Sequence, residues 1–228
     1  MPVMDEFKEE REKIKTASPE QKWKYFKDYY LKWVIAIGIA IALLISFIVS
    51  MVTRKDDMLT VLLVNFVPLE TADAQVKEPF TQQYLEDPKK QQIQLDTGSR
   101  IAVGEVSGND LSSAMTYSYA DEERIMALAY TGSIDLMISG EDVIRRYMEA
   151  EWFVPLDTVL DADTLAKFEE EGRVIYYAGE PAAVCMDTAK VLNENYYYAG
   201  EGEPSLYAAF GGGSKHADLA AEFLKFIQ

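Results

Sequence analysis

An α/β fold is predicted: a mostly parallel sheet flanked by helices, behind a long N-terminal helix that spans a membrane. Three observations predict it. Residues 34–52 (VIAIGIAIALLISFIVSMV) carry no charged side chain. Residues 59–67 (LTVLLVNFV) form a continuous apolar run, as a parallel strand buried on both faces requires. From there to residue 228, short apolar runs alternate with amphipathic stretches, the pattern of strands joined by helical crossovers.

The charge-free run is the first element to justify. At about 1.5 Å per residue it reaches about 28 Å, close to the hydrocarbon thickness of a bilayer. Twelve of its nineteen residues are Ile, Val, Leu or Phe. Their insertion is favourable by on the order of 4 to 7 kcal/mol, and no charged residue opposes it. Lys15, Lys22, Lys24, Lys27 and Lys32 precede the run within twenty residues, whereas only Arg54 and Lys55 follow it. Cytoplasmic flanks carry the excess of Lys and Arg, so the N-terminus is expected inside and the C-terminal part outside the cell membrane. A cleaved signal peptide fits less well. The leader is 33 residues, and no A-x-A-like site comes before Arg54. Tyr29, Tyr30 and Trp33 suit the inner interface. Gly38, Ala42, Ser46 and Ser50 recur every four residues, a small-residue face along which a second helix can approach. The expected organisation is a cytoplasmic helical arm (1–33), one integral span (34–52), a linker (53–58) and an extracytoplasmic α/β domain (59–228).

The remaining elements follow from local chemistry. Residues 4–17 read as a short charged helix. Ser18-Pro19-Glu20-Gln21 is a helix start, with Ser18 as cap and Gln21 as its capping-box partner. That helix can run unbroken into the span, with Trp23, Phe26, Tyr30 and Trp33 along one face. Residues 71–85 read as a helix ended at Asp87-Pro88, and 91–97 as a strand. Residues 101–119 are ambiguous, and Gly104, Gly108 and Asn109 suggest loops. Residues 121–131 form a helix with acidic residues in its first turn and Gly132 as its left-handed stop. A short strand (134–138), a helix (141–151) and a helix capped by Asp161 and stopped by Gly172 come next. Residues 174–177, 182–186 and 205–210 read as strands. Residues 217–227 close the chain as an amphipathic helix with Leu219, Phe223, Leu224 and Ile227 on one face.

Composition excludes several functions. The net charge is −16, and residues 56–228 hold 12 basic and 31 acidic residues. That balance argues against nucleic acid and against an anionic membrane surface, and permits a cationic ligand. One cysteine, Cys185, allows no internal disulfide. One histidine, His216, gives too few nitrogen or sulfur ligands for zinc and no evident base for a serine or cysteine nucleophile. Asp157, Asp161 and Asp163 lack the glycine and terminal glutamate of a calcium loop, and helix capping is the better reading of Asp161. Gly211-Gly212-Gly213-Ser214-Lys215 departs from the order of a phosphate loop and reads better as a flexible lead into the last helix. Tyr176, Tyr177 and Tyr196–Tyr198, beside Glu180, Glu201 and Glu203, are half-buried tyrosines that offer a shallow cation groove at most. No cofactor and no catalytic activity is expected.

Three stretches together resemble the type 2 periplasmic (extracellular) solute-binding proteins. In residues 121–160, a helix leads to Gly132, Asp135 and the strand to Ile138, then to a helix and an aromatic-apolar-Leu-Asp segment ending at Asp157. Residues 173–187 look like strands that cross between lobes. Residues 205–227 (SLYAAFGGGSKHADLAAEFLKFI) resemble the family's return strand, Ser-Lys loop and final helix. The whole chain also resembles a group of single-pass membrane proteins of Gram-positive bacteria with a Tyr-Tyr-x-Lys-Trp lead-in, here Tyr29 to Trp33. The family resemblance implies a solute held between two lobes that close on a hinge. Here only the 18 residues 187–204 separate the crossing strands, so the second lobe is largely missing. In open α/β sheets, ligands lie beyond the carboxyl ends of the strands. That rule selects Asn65 and Phe66, then Ser139, Glu141 and Asp142, and Tyr177 at the crossing. Two functions are expected: a tethered, non-catalytic lobe for a small ligand, or an envelope adaptor that docks a protein partner after losing solute binding.

Overall fold

A computed structural model of the chain describes residues 18–102, 111–200 and 202–228. The predicted helix at 4–17 and the loop residues Gly104, Gly108 and Asn109 lie outside the described residues. Two compact units divide between Arg54 and Lys55.

The first unit is helical. Helix α1 (Pro19–Tyr25) starts as its sequence dictates: Gln21 N–H donates to Ser18 Oγ at 3.4 Å, and Ser18 N–H donates back to Gln21 Oε1 at 3.2 Å. A π-helical turn (Phe26–Tyr30) joins it to α2 (Leu31–Thr53). Trp23 stacks on Phe26 with ring centroids 5.7 Å apart, and Phe26 on Tyr30 at 6.3 Å. Among the described residues, α2 is the one helix long and apolar enough to cross a membrane. Its Leu31–Met51 stretch has a mean hydropathy of 2.8 and is not buried within the protein. Gly38, Ala42, Ser46 and Ser50 all lie exposed on it.

The second unit is an α/β sandwich of helices on a six-stranded sheet. Its strands are β1 (Asp56–Leu63), β3 (Gln91–Asp96), β4 (Leu136–Gly140), β5 (Val174–Tyr177), β6 (Glu180–Cys185) and β8 (Leu206–Phe210), in the order β3-β1-β4-β8-β6-β5. β1 pairs in parallel with β3 and β4, while β8 runs antiparallel to both β4 and β6, and β5 antiparallel to β6. Four of the six strands therefore run the same way, with β8 inserted against them. The β5–β6 pairing is a tight hairpin because Ala178 (φ 53°) and Gly179 (φ 90°) both take the left-handed conformation.

Both faces of the sheet are covered, which explains the unbroken apolarity of β1. Leu59, Val61 and Leu63 point to one side and meet Phe80 of α3 (Glu78–Tyr84), Phe168 of α6 (Ala162–Glu170), Leu192 of α7 (Lys190–Asn195) and Phe223 of α8 (Ala217–Phe226). Leu62 and the following Val64 point to the other and meet Ile125 of α4 (Leu111–Tyr130) and Ile144 of α5 (Glu141–Glu149). Phe80, fully buried, packs edge-on against Phe223 at 5.0 Å and Phe226 at 5.4 Å.

Several boundaries differ from expectation. The apolar run 59–67 is not one strand. It turns at Asn65 (φ 64°), and Phe66–Pro68 (β2) leaves the sheet to pair antiparallel with Tyr196–Tyr198 (β7). Asparagine tolerates this left-handed backbone, and because the residues on either side are buried, hydrophobicity does not mark the break. The expected linker 53–58 is shorter, since β1 begins at Asp56, paired with Gln91. The helix expected from residue 121 begins at Leu111. Helix α7 and strand β7 occupy residues left without an assigned element.

Candidate functional site

Of the six residues predicted at the strand ends, Asn65 and Asp142 line one crevice and the other four do not. Asn65, Gly140, Asp142 and Tyr198 line a crevice beyond the ends of β1 and β4. It encloses about 20 Å³, room for a water molecule and not for a solute. Asn65 is consumed structurally: its Nδ2 donates to Ile101 O at 2.8 Å, and Ile101 N–H donates to its Oδ1 at 2.8 Å. Its backbone ties in two further segments, accepting from Ala199 N–H at 2.7 Å and donating to Ser99 O at 3.1 Å. Ser139 is fully buried and donates to Val64 O at 3.1 Å. Phe66 is buried, edge-on to Tyr198 at 5.3 Å. Tyr198 plugs the end of β4, for a Cβ on Gly140 would lie 2.5 Å from its Oη. Of the charged pair, Asp142 lines the crevice, while Glu141 turns to an ion pair with Arg145 at 2.7 Å. Tyr177 lies apart from these residues on the edge strand β5, half-exposed.

A larger opening lies elsewhere. A polar groove of about 410 Å³ is lined by Asp57 and Thr60 of β1, Gln94 and Asp96 of β3, Arg124 of α4, and by Ser133, Asp135, Lys215 and His216. Its volume falls in the range of small-molecule sites. Asp135 holds it together. One carboxylate oxygen accepts from Thr60 N–H at 2.7 Å and the other from Ser214 Oγ–H at 2.6 Å. Asp135 also exchanges backbone bonds: its N–H donates to Thr60 O at 3.0 Å, and its carbonyl accepts from Gly211 N–H at 3.1 Å. Ser214 Oγ in turn accepts from His216 N–H at 3.1 Å. The glycine-rich segment is therefore a pinned wall, not a loose lead. Gly132 (φ 63°) fits it closely, since a Cβ there would lie 2.6 Å from Gly213 O. On the opposite wall Arg124 is fixed by an ion pair with Asp96 and a 2.7 Å bond to Ser99 Oγ.

Besides the buried Asp135, two exposed charged side chains of this groove have no ion pair among the described residues. Lys215 has no hydrogen bond or ion pair among the described residues, and Asp57 accepts only the neutral Gln92 amide, at 2.8 Å. Other titratable groups serve packing. Tyr147 Oη is buried without a hydrogen-bond partner among the described residues, and burial pushes its phenol up to about 12. Burial likewise raises the Cys185 thiol. Asp161 caps α6, accepting from Thr164 Oγ1–H at 2.7 Å and its N–H at 2.8 Å, contacts that hold the carboxyl well below its usual range.

Asp135 stood in the quoted family pattern, yet sequence reasoning gave it no role. The available signal was a lone carboxylate at the start of an otherwise apolar strand, a position that demands hydrogen-bond partners once buried. Comparison of the chain with family models, with curated proteins and with solved structures finds no match.

Proposed function

We propose that this is a single-pass membrane protein with a cytoplasmic arm and an extracytoplasmic α/β lobe, non-catalytic and related in fold to the type 2 solute-binding proteins. On this reading the lobe takes a small polar ligand, in the groove built around Asp135 and not at the strand ends. The observation that carries it is the groove itself: about 410 Å³, with polar groups converging from walls pinned by one buried carboxylate. The lysine excess ahead of residues 34–52 supports the orientation. The order of residues 132–138, the crossing strands and the return strand supports the family. The test is a thermal-shift screen of the full chain in detergent micelles against amino acids, sugars and polyamines. A ligand at 100 times its Kd adds about 2.7 kcal/mol of stability. A blank screen overturns the ligand reading.

A second reading, an adaptor for an envelope protein, is favoured by one specific observation. Val67 and Tyr197, paired in register across β2 and β7, are 40% and 65% exposed, with Leu69 nearby at 47%. Exposed apolar groups beside a filled crevice suit docking better than solute capture. Val67→Ser with Tyr197→Ser would then abolish function in cells while leaving the melting temperature unchanged.

A further inference from the structure

We infer that the groove around Asp135 is selective for a small zwitterion, a molecule carrying one carboxylate and one ammonium group, held between Lys215 and Asp57. This rests on the ligand-binding reading of that groove.

The argument is one of charge balance. Arg124 and Asp96 neutralise each other across one wall. Asp135 keeps its negative charge, but with both oxygens engaged by neutral donors and the residue nearly fully buried it offers a ligand no free acceptor. Lys215 and Asp57 remain as the exposed cation and anion of the groove with no ion pair among the described residues. A simple anion would satisfy Lys215, yet it would approach a unit with 31 acidic and 12 basic residues and leave Asp57 facing its negative charge. A simple cation would satisfy Asp57 and meet Lys215 as a like charge. A neutral molecule could hydrogen-bond to both groups but would neutralise neither charge. A zwitterion pairs with both at once and adds no net charge. The wall that carries Lys215 is preorganised, because Ser214 on one side is bound to Asp135 and His216 N–H on the other is bound to Ser214 Oγ. Little ordering of that segment is then left to oppose binding.

His216 is the chain's one histidine and lines this groove, so its imidazole resonances report occupancy without a label. The full chain in detergent micelles is titrated with L-alanine, acetate, methylamine, glucose and spermidine while the His216 signals are followed by NMR. L-Alanine is expected to move them saturably, with acetate and methylamine weaker by about tenfold or more. Lys215→Ala and Asp57→Asn, both at exposed positions, are each expected to weaken L-alanine by about tenfold with an unchanged melting temperature. If acetate or methylamine matches L-alanine, or if glucose or spermidine moves the signals and L-alanine does not, zwitterion selectivity is overturned while the ligand-binding groove stands. If L-alanine binds and neither variant weakens it, the assignment to Lys215 and Asp57 is overturned. If none of the five compounds moves the signals, the selectivity and the ligand reading fall together.

Discussion

Asn65 and Ile101 exchange two hydrogen bonds of 2.8 Å, the Asn65 side-chain amide standing in for a strand neighbour to the Ile101 backbone. This pair closes the end of the sheet at the point where β1 turns into β2. Asn65→Ala would orphan a buried N–H and a buried C=O and put alanine at φ 64°. The combined cost is about 2–4 kcal/mol. The melting temperature of the full chain in micelles should fall by on the order of 10 °C. Asn65→Gly removes the backbone strain but not the orphaned groups, and should lie between the two. A wild-type melt for Asn65→Ala would mean the amide pair is dispensable.

The same pair shows where sequence reasoning reaches its limit. Capping chemistry is local, so Ser18, Asp161, Gly132 and Gly172 were readable as helix starts and stops, and each is one. The burial of β1 on both faces was readable from its apolarity. The reversal at Asn65 was not, because hydrophobicity does not distinguish a strand that continues from one that changes sheets. The early start of α4 is not legible because Ser112, Ser113, Thr116 and Ser118 are residue types of low intrinsic helix propensity. The groove draws on segments from Asp57 to His216 that meet only in three dimensions. The strand-end rule selects six residues of which two, Asn65 and Asp142, meet at one crevice, and it does not foresee Tyr198 and the Asn65 amide beside them.

Asp135 should be the most sensitive residue of the groove. Asp135→Ala leaves Thr60 N–H and Ser214 Oγ–H without their acceptor, at a cost of about 1–3 kcal/mol for these part-buried donors. Asp135→Asn keeps one acceptor and should cost about half as much. Because Ser214 also orients His216 N–H, hydrogen exchange in residues 211–216 should accelerate in both variants beyond the change seen in β6. Uniform acceleration would argue against a local pin.

Two glycines with the same backbone conformation separate strain from collision. Gly172 (φ 68°) has open space where a Cβ would go, so Gly172→Ala should cost only the left-handed penalty, about 1 kcal/mol. Gly132 (φ 63°) would place its Cβ 2.6 Å from Gly213 O, so Gly132→Ala should cost about 1–3 kcal/mol more. Equal melting temperatures for the two variants would refute the close packing of these loops.

Acid stability should depend on Asp161. The hydroxyl and N–H of Thr164, with Lys225, hold its carboxyl below the ordinary range, so on acidification the unfolded chain takes up the proton first. The cap therefore contributes fully above about pH 4 and is lost progressively below it. Asp161→Asn should lower the melting temperature at pH 7 and converge with wild type as the pH falls toward 2. Parallel curves over that interval would assign the difference to packing and not to charge.

The proposed orientation in the membrane rests on the lysines ahead of the apolar run 34–52, and they can be moved. An epitope tag at the C-terminus should bind antibody on intact cells, and a tag at the N-terminus only after permeabilisation. Lys22, Lys24, Lys27 and Lys32 supply four of the five positive charges within twenty residues ahead of the apolar run. Replacing them with Gln, while adding four lysines after Arg54, inverts the charge asymmetry that sets the topology. A substantial fraction of that variant should then expose its N-terminal tag on intact cells. If the wild-type chain shows the N-terminal tag outside, or releases its C-terminal unit as a cleaved soluble product, the tethered extracytoplasmic lobe is wrong.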